Sequence, residues 1–243
     1  MKKIVVANNK GGVGKTTIAT QIAHSLAARG NSVVCVDLDS QRNLSGSLEE
    51  VPELGNARTI VEDGTVISVD LDSGQIGLVK GDADLASFNG DEVIGHVSSS
   101  LRGMEGADYC VIDTPPSFSV VVYGALLAAD YLLVPIELKR YSLDGIEGVL
   151  EAFFSIKEHN DSLELLGLLP SRFDAVKAIE RSTLEDVVEA FPQILIPHAI
   201  RNRTAYEEAQ ANGWPISEVK TKSGKEAAKE FAAFFEWLSD RIE

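Results

Sequence analysis

The sequence predicts an α/β fold in which helices cover both faces of a mainly parallel sheet, giving a three-layer α/β/α sandwich. Short runs of uniformly apolar residues alternate along the chain with segments whose apolar residues recur at the helical period. Strands that are apolar on both faces are typical of a parallel sheet buried between helices. A glycine-rich segment and two aspartate motifs each follow such a run. Because ligands of these sheets bind beyond the carboxyl ends of the strands, the pattern predicts one ligand site there.

Strands are predicted where short apolar runs rich in valine and isoleucine are bounded by polar or glycine residues. The first run leads into the glycine-rich segment, the second ends in Asp37, and the fourth ends in Asp113. The predicted strands are residues 4–7, 33–36, 76–79, 109–112, 131–136, 165–169 and 194–196.

Helices are predicted where apolar residues share one face. In residues 16–28, Ile18, Ile22 and Leu26 have this spacing, and Gly30 follows at the position of a C-cap. The other predicted helices are residues 92–102, 120–129, 143–157, 178–190, 204–212 and 225–242.

The 243 residues are predicted to form a single domain, residues 1–243, because no linker-like stretch divides them. Hydrophobic residues make up 44% of the chain and charged residues 24%, which excludes a disordered or fibrous protein. The sequence has no apolar run long enough to span a membrane, and its N-terminus lacks the apolar core of a signal peptide. Cys35 and Cys110 lie in apolar runs, so we expect buried free thiols and a cytoplasmic protein.

The charge of the chain is unevenly distributed. Its net charge of −15 argues against a protein that binds nucleic acid through bulk charge. Residues 44–108 carry 13 acidic and 3 basic side chains, whereas residues 172–203 carry 5 of each. Any anion-binding face is therefore expected to be local and to lie in the C-terminal half.

The glycine-rich segment after the first strand has the pattern of a phosphate-binding loop. Glycines let the backbone wrap so that several N–H groups point at phosphate oxygens, and the following helix adds the positive end of its dipole. Lys15 is predicted to contact the β- and γ-phosphates, and the hydroxyl of Thr16 to bind Mg²⁺. A glycine-rich turn that binds nothing is the alternative interpretation. The predicted ATP-binding residues are Lys10, Gly11, Gly12, Val13, Gly14, Lys15, Thr16 and Thr17.

This loop resembles the deviant Walker A motif, Lys-Gly-Gly-x-Gly-Lys-Thr-Thr, of the ParA/MinD branch of P-loop ATPases. Asn9 stands where the ordinary phosphate loop has glycine. Lys10 matches the lysine that, in that family, reaches across a dimer interface to the partner's nucleotide. The resemblance covers nearly the whole chain and implies a P-loop NTPase fold, ATP and Mg²⁺ as cofactors, and a homodimer that forms on ATP.

Both aspartate motifs resemble those of ParA. The segment from Asp37 to Ser45 is similar to the family's switch motif, with Ser40 in place of the usual proline. The resemblance implies that Asp39 orients the attacking water near the metal; alternatively, both aspartates only cap a loop. Asp113, followed by Thr-Pro-Pro-Ser, resembles the Walker B aspartate of the ParA side of the branch, where it accepts a bond from a water on Mg²⁺. The expected catalytic residues are Lys10, Lys15 and Asp39, and the expected metal residues are Thr16, Asp39 and Asp113.

A DNA-binding surface is expected in the C-terminal half. The stretch that ends at Arg201 resembles the ParA segment near the adenine and the DNA surface, with His198 in place of one arginine. The family's other basic site falls near residues 175–177 and is not matched. A substitute patch is Arg172, Lys177, Arg181, Arg201 and Arg203, although each of these is also explained as a solvated surface charge.

The resemblance implies a ParA-type ATPase whose ATP dimer binds DNA non-specifically. Hydrolysis is expected to be stimulated by a ParB-like or cargo-adaptor protein with a basic N-terminal segment, so that the cycle segregates plasmid or chromosomal DNA or positions a protein cargo on the nucleoid. The rivals are a MinD-like membrane-associated ATPase, an ATP-dependent metabolic synthetase with the same loop, and a relative of the nitrogenase iron protein. No membrane partner is expected, because the apolar stripe in residues 231–242 is flanked by many acidic residues and is predicted to dock on the core. Cys35 and Cys110 lie in predicted strands, which argues against an iron–sulfur cluster at a dimer face.

Overall fold

A computed structural model describes residues 1–139 and 145–243 in full, together with the helical backbone of residues 142–144. Its strands are β1 (Lys2–Val6), β2 (Val33–Asp37), β3 (Glu53–Asn56), β4 (Ile76–Lys80), β5 (Tyr109–Asp113), β6 (Tyr131–Ile136), β7 (Glu164–Phe173) and β8 (Ile200–Arg201). Its helices are α1 (Lys15–Ala28), α2 (Asn43–Ser47), α3 (Ala57–Asp63), α4 (Asp91–Gly103), α5 (Val120–Ala128), α6 (Ser142–Lys157), α7 (Ala178–Ala190), α8 (Thr204–Ala211) and α9 (Lys222–Ile242). Short 3-10 helices lie at Ala83–Ser87 and Ile216–Glu218.

The eight strands form one sheet in the order β3-β4-β2-β5-β1-β6-β7-β8, and every described pair is parallel. Apolar side chains on one face of the sheet form a core with helices α3 to α7, and those on the other face form a second core with α1, α2, α8 and α9. The predicted α/β/α sandwich with a mainly parallel sheet is therefore confirmed.

The apolar stripe of α9 is part of the second core. Phe231, Phe234, Phe235, Leu238 and Ile242 are all buried, as expected for a helix that docks on the sheet. Among the residues that the structure describes, no helix combines the length and apolar character that crossing a bilayer requires.

Both cysteines are buried free thiols, as predicted. They lie on the neighbouring strands β2 and β5, where Cys110 is paired in register with Val34. Burial raises the pKa of the Cys110 thiol to about 12 and raises that of Cys35 as well. Neither is a thiolate at neutral pH, so neither has the reactivity of a redox or metal-binding cysteine.

The register of the central strands brings the sequence motifs together. Val6, at the end of β1, pairs with Asp113 of β5, and Asp113 pairs on its other side with Asp37 of β2. Because these strands are parallel, the segment after β1 and both aspartates emerge at the same edge of the sheet. This edge is the predicted ligand site.

Two parts of the predicted element pattern were wrong or missing. Residues 194–196 were predicted as a strand, but they make only a single bridge, Leu168 with Leu195, and the last strand is β8. Pro197 follows directly and has no N–H to continue the ladder. The elements β3, α2 and α3 were not predicted because their short sequences show neither an apolar run nor a helical period.

Candidate nucleotide-binding site

The segment of residues 8–17, which comprises the loop after β1 and the first residues of α1, is called the P-loop below. Gly12 and Gly14 have φ angles of 76° and 87°, in the left-handed region where glycine carries no steric penalty. The buried Asn8 anchors the start of the loop: its Nδ2 donates to the carbonyl of Pro135 (2.6 Å), and its Oδ1 accepts from the N–H of Lys10 (2.9 Å). The sequence motif gave no signal for this role of Asn8.

Strand β7 holds the P-loop from the side. The hydroxyl of Ser171 donates to the carbonyl of Val13, and Nη1 of Arg172 donates to the carbonyl of Gly12 (3.3 Å). Two consecutive P-loop carbonyls are thus bound by protein donors. A loop whose carbonyls are engaged in this way has its N–H groups to offer to an anion.

Lys15 is the first residue of α1, and only 7% of it is exposed. Its ammonium donates to the carbonyl of Lys10 (3.3 Å), across the inside of the P-loop. Burial lowers the pKa of Lys15, while the charges of Asp113 and Asp39 act in the opposite direction. A desolvated cation inside a loop of N–H groups is suited to a phosphate, which supplies the missing negative charge.

Thr16 and Asp113 are in direct contact. The Thr16 hydroxyl donates to Oδ2 of Asp113 (2.6 Å), and Asp113 is fully buried. Within the described residues, its other oxygen, Oδ1, has no hydrogen-bond partner. Burial, reinforced by the charge of Asp37, raises the pKa of Asp113 to about 8, although Thr16 and Lys15 oppose this shift.

These two residues fit Mg²⁺. The Thr16 hydroxyl and the Asp113 carboxylate, whose buried Oδ1 has no partner among the described residues, are hard oxygen donors of the kind that this ion prefers. No cluster of three or more His, Cys, Asp or Glu side chains suited to a metal occurs in the described part of the chain.

The buried charge of Asp113 should make the nucleotide-free protein less stable at high pH. Its carboxyl holds a proton to higher pH in the folded protein than in the unfolded chain, so the free energy of unfolding falls as pH rises from about 4 toward about 8. Asp113→Asn removes this dependence. We expect it to stabilise the protein in EDTA by about 1–3 kcal/mol near pH 8, and by less near pH 5, as measured by urea unfolding.

Asp108→Asn is the matched control for this experiment. Hydrogen bonds from Ser32 lower the pKa of the Asp108 carboxyl, so that carboxylate contributes stability above its unfolded pKa and loses it as pH falls. Its asparagine variant should gain nothing at high pH. If Asp113→Asn changes the free energy of unfolding equally near pH 5 and near pH 8, the Asp113 carboxyl is not the group whose raised pKa destabilises the protein at high pH.

Asp37 and Asp39 have different environments. The fully buried Asp37 accepts hydrogen bonds from the N–H (2.8 Å) and hydroxyl (2.7 Å) of Ser45 and from the N–H of Asp39 (3.1 Å). Gly81 donates its N–H to the same Ser45 hydroxyl, so Asp37 fixes the segment that carries Asp39. Oδ1 of Asp39 accepts from the N–H of Gln41 (3.0 Å), and its charge acts on both Lys15 and Asp113. The structure thus brings Asp39 to the P-loop and gives Asp37 a structural role.

The five predicted DNA contacts do not share one environment. Arg172, Arg201 and Arg203 line a cavity beside the P-loop, whereas Lys177 and Arg181 do not. Carboxylates contact four of the five: Glu230 and Glu226 contact Arg203 (2.7 Å each), Glu230 contacts Arg201 (3.2 Å), Glu180 contacts Lys177 (3.1 Å), and Glu137 lies 3.7 Å from Arg172. Arg181 donates to the carbonyl of Ala175.

The same cavity connects the P-loop to α8, where Gln210 is a residue that the sequence analysis did not single out. It is lined by Gly14 and Thr17 of the P-loop and by Tyr206 and Gln210 of α8. The hydroxyl of Thr17 donates to Oε1 of Gln210 (3.0 Å), which joins α8 to the P-loop. A cavity that opens from a phosphate-binding loop is the natural place for the rest of a nucleotide.

Comparison with known proteins agrees with this geometry. A family model described as an AAA domain matches residues 1–165. The chain is 30% identical over 256 residues to protein IncC of Escherichia coli, with 100% of this chain and 70% of IncC covered. It is 34% identical over 196 residues to the chromosome-partitioning ATPase Soj of Thermus thermophilus, with 78% and 75% covered. The chain belongs to the ParA family.

Solved structures place this ParA-family protein in a fold that binds adenine nucleotides. A variant of McdA from Cyanothece in complex with ATP superposes with a TM-score of 0.81 at 23% identity, covering 98% of this chain and 96% of McdA. Cobyrinic acid a,c-diamide synthase of Mycobacterium smegmatis, with an ATP analogue and magnesium, gives 0.75 at 25% identity, with 100% and 98% covered. The predicted family and fold are confirmed, and the fold supports binding of ATP with Mg²⁺.

Proposed function

We propose that this ParA-family protein is an ATPase that dimerises on ATP, binds DNA without sequence preference and hydrolyses ATP when a partner protein stimulates it. The observation that carries the proposal is the meeting of Lys15, Thr16, Asp39 and Asp113 at one edge of the sheet, around a loop of N–H groups. Phosphoryl transfer needs positioning and charge stabilisation more than covalent chemistry, and this arrangement supplies both.

In the proposed reaction the P-loop N–H groups and Lys15 bind the phosphates and neutralise charge that develops as the terminal phosphate leaves. Thr16 and Asp113 would hold Mg²⁺, which when bound neutralises charge on the β- and γ-phosphates. Asp39 orients the water for in-line attack, and Asp37 keeps the backbone of that segment in place through Ser45.

Dimerisation on ATP is supported by the position of Lys10. Its side chain is half-exposed, and its ammonium lies 3.9 Å from Oε2 of Glu137, while Lys15 occupies the inside of the P-loop. This position at the rim of its own site supports a role for Lys10 at a nucleotide held by a second copy of the chain.

Lys10→Ala tests this proposal. We expect the variant to bind ATP as a monomer with an affinity within about twofold of the wild type, but to lose ATP-dependent dimerisation, since each dimer needs the lysine in trans. Sedimentation velocity with a slowly hydrolysed ATP analogue measures both species. Lys229→Ala, a change at an exposed lysine on α9, is the control and should dimerise normally. If Lys10→Ala dimerises normally, Lys10 does not act on the nucleotide of the partner copy.

Binding to DNA is proposed to be weak and sensitive to salt. Glu226 and Glu230 neutralise Arg201 and Arg203, and the chain as a whole carries −15, so a phosphate must compete with carboxylates for these arginines. A dimer presents two such surfaces on one rigid body, which raises the effective affinity. Binding of the dimer to DNA would place the protein on the nucleoid. A partner protein, whose basic segment is attracted by the acidic residues 44–108, would then link the protein to a plasmid, chromosome or protein cargo and move it.

A metabolic synthetase is the second candidate, because the M. smegmatis diamide synthase shares the fold at 25% identity. ATP turnover that rises with DNA or with a ParB-like partner supports the partition ATPase. Turnover that instead requires a small carboxylic acid would support the synthetase.

A further inference from the structure

We infer that Arg172 is a nucleotide-binding residue, whose guanidinium contacts the phosphates that ATP and ADP have in common. The inference rests on the proposed ATP site and adds a residue to it. The sequence grouped Arg172 with the expected DNA contacts, but its contacts in the structure are with the P-loop.

The backbone of Arg172 is in an unusual conformation. Its φ angle is 53°, and in the described residues only Arg42 is another non-glycine residue with a positive φ. Such backbone costs free energy and occurs most often at functional sites, where the surroundings enforce it. Arg172 is the second-to-last residue of β7, so the strained residue lies where the strand meets the P-loop.

The guanidinium is held at the P-loop by two contacts. Nη1 donates to the carbonyl of Gly12 (3.3 Å), and Nε lies 3.7 Å from Oε1 of Glu137. The Arg172 side chain also passes within 4.0 Å of the position that a Cβ on Gly14 would occupy. Gly12 and Gly14 belong to the part of the loop whose N–H groups cradle the α- and β-phosphates in P-loop proteins.

Glu137 keeps this arginine in place. The carboxylate follows β6, is only 8% exposed and also contacts Lys139 (2.7 Å) and Lys10 (3.9 Å). A buried carboxylate with several cations around it fixes their positions before a ligand arrives. The phosphate then finds the guanidinium already oriented, so less side-chain entropy is lost on binding.

Arg172 also has donors to spare for a ligand. Of its several N–H groups, those on Nη1 and Nε contact Gly12 and Glu137, and its hydrogen bonds and ion pairs with described residues end there. The side chain is half-exposed and lines the cavity with Gly14 and Thr17, so a ligand in that cavity reaches it. The planar fork of a guanidinium matches phosphate oxygens in pairs, which makes arginine the preferred residue for this contact.

The test measures the affinity of Arg172 variants for fluorescently labelled ATP and ADP. Arg172→Asn removes the charge with a residue that tolerates left-handed backbone, and Arg172→Lys retains the charge. We expect Arg172→Asn to weaken both nucleotides by about tenfold or more, as loss of a charge-assisted hydrogen bond does, and Arg172→Lys to recover part of the affinity. The melting temperature without nucleotide should stay at the wild-type value.

Arg102→Asn is the matched control, because Arg102 is an exposed arginine of α4 that also donates to one backbone carbonyl, that of Leu127. It should bind both nucleotides as the wild type does. Wild-type affinity in Arg172→Asn overturns the inference, and so does an equal loss in the Asn and Lys variants accompanied by a lower melting temperature, which shows a structural role. Wild-type protein that binds neither nucleotide overturns the ATPase proposal itself, a result distinct from a variant that matches a binding-competent wild type.

Discussion

Lys15→Ala is expected to reduce ATP hydrolysis by about a hundredfold or more, because it removes the cation that donates to the P-loop backbone from the inside of the loop. Among the described contacts of the loop, the Lys15 ammonium spans it from within, while Lys10 and Arg172 approach from its rim. Affinity for ATP should fall with the rate, since the same charge contacts the phosphates before and during the reaction. Phosphate release and equilibrium binding measure the two effects.

The fold should survive this change. Burial already lowers the pKa of Lys15, so alanine replaces a partly desolvated charge instead of breaking an apolar contact. Circular dichroism and melting temperature of Lys15→Ala should therefore match the wild type. Wild-type turnover in this variant would show that the P-loop is not the ATPase site.

Asp39→Ala is expected to separate hydrolysis from binding. Without the carboxylate that orients water, turnover should fall by about a hundredfold, while the affinity for ATP stays within a few fold. The ATP dimer then persists, and DNA binding at low salt should last longer than in the wild type. Single-turnover phosphate release and dissociation from immobilised DNA measure these effects.

Asp37→Ala provides the contrast. Alanine there leaves the N–H and hydroxyl of Ser45 without their buried acceptor, so this variant should be less stable by about 1–3 kcal/mol. Asp39→Ala should have little effect on stability, because the Asp39 carboxylate accepts a hydrogen bond only from the N–H of Gln41 among the described groups. If Asp39→Ala hydrolyses ATP at the wild-type rate, Asp39 does not orient the water and only caps its loop.

Much of the fold could be predicted because its strands are local apolar runs. The two ends of β6 and of α7 coincide with the prediction, and the other central elements differ by a few residues at their ends. The failures are elements whose cause is not local. The two residues of β8 pair with β7 past a proline, and β3 lies at the sheet edge, so neither needs a continuous apolar pattern.

The candidate site was predictable as far as its motifs reach. The sequence predicted Lys15, Thr16, Asp39 and Asp113, and the structure brings these four together. The anchoring of the P-loop by Asn8 depends on Pro135, which is 127 residues away.

The role of Arg172 was also not predictable from the sequence. In the sequence it is one of five basic residues in residues 172–203, a segment with no net charge. Only the packing of β7 against the P-loop separates it from Lys177 and Arg181, because that packing creates its contacts with Gly12 and Glu137.

The central position of β1 has a consequence for the synthesis of the protein. β1 pairs with β5 on one edge and with β6 on the other, so during synthesis one edge stays open until residue 113 has been made and the other until residue 136. At about 5–20 residues per second, the roughly 130 residues from the end of β1 to the end of β6 take about 7–26 s. During that time the apolar segment of residues 4–6 has at least one edge without a neighbouring strand, which favours aggregation or chaperone binding. The P-loop that follows β1 is therefore assembled late, after β5 and β6 have been made.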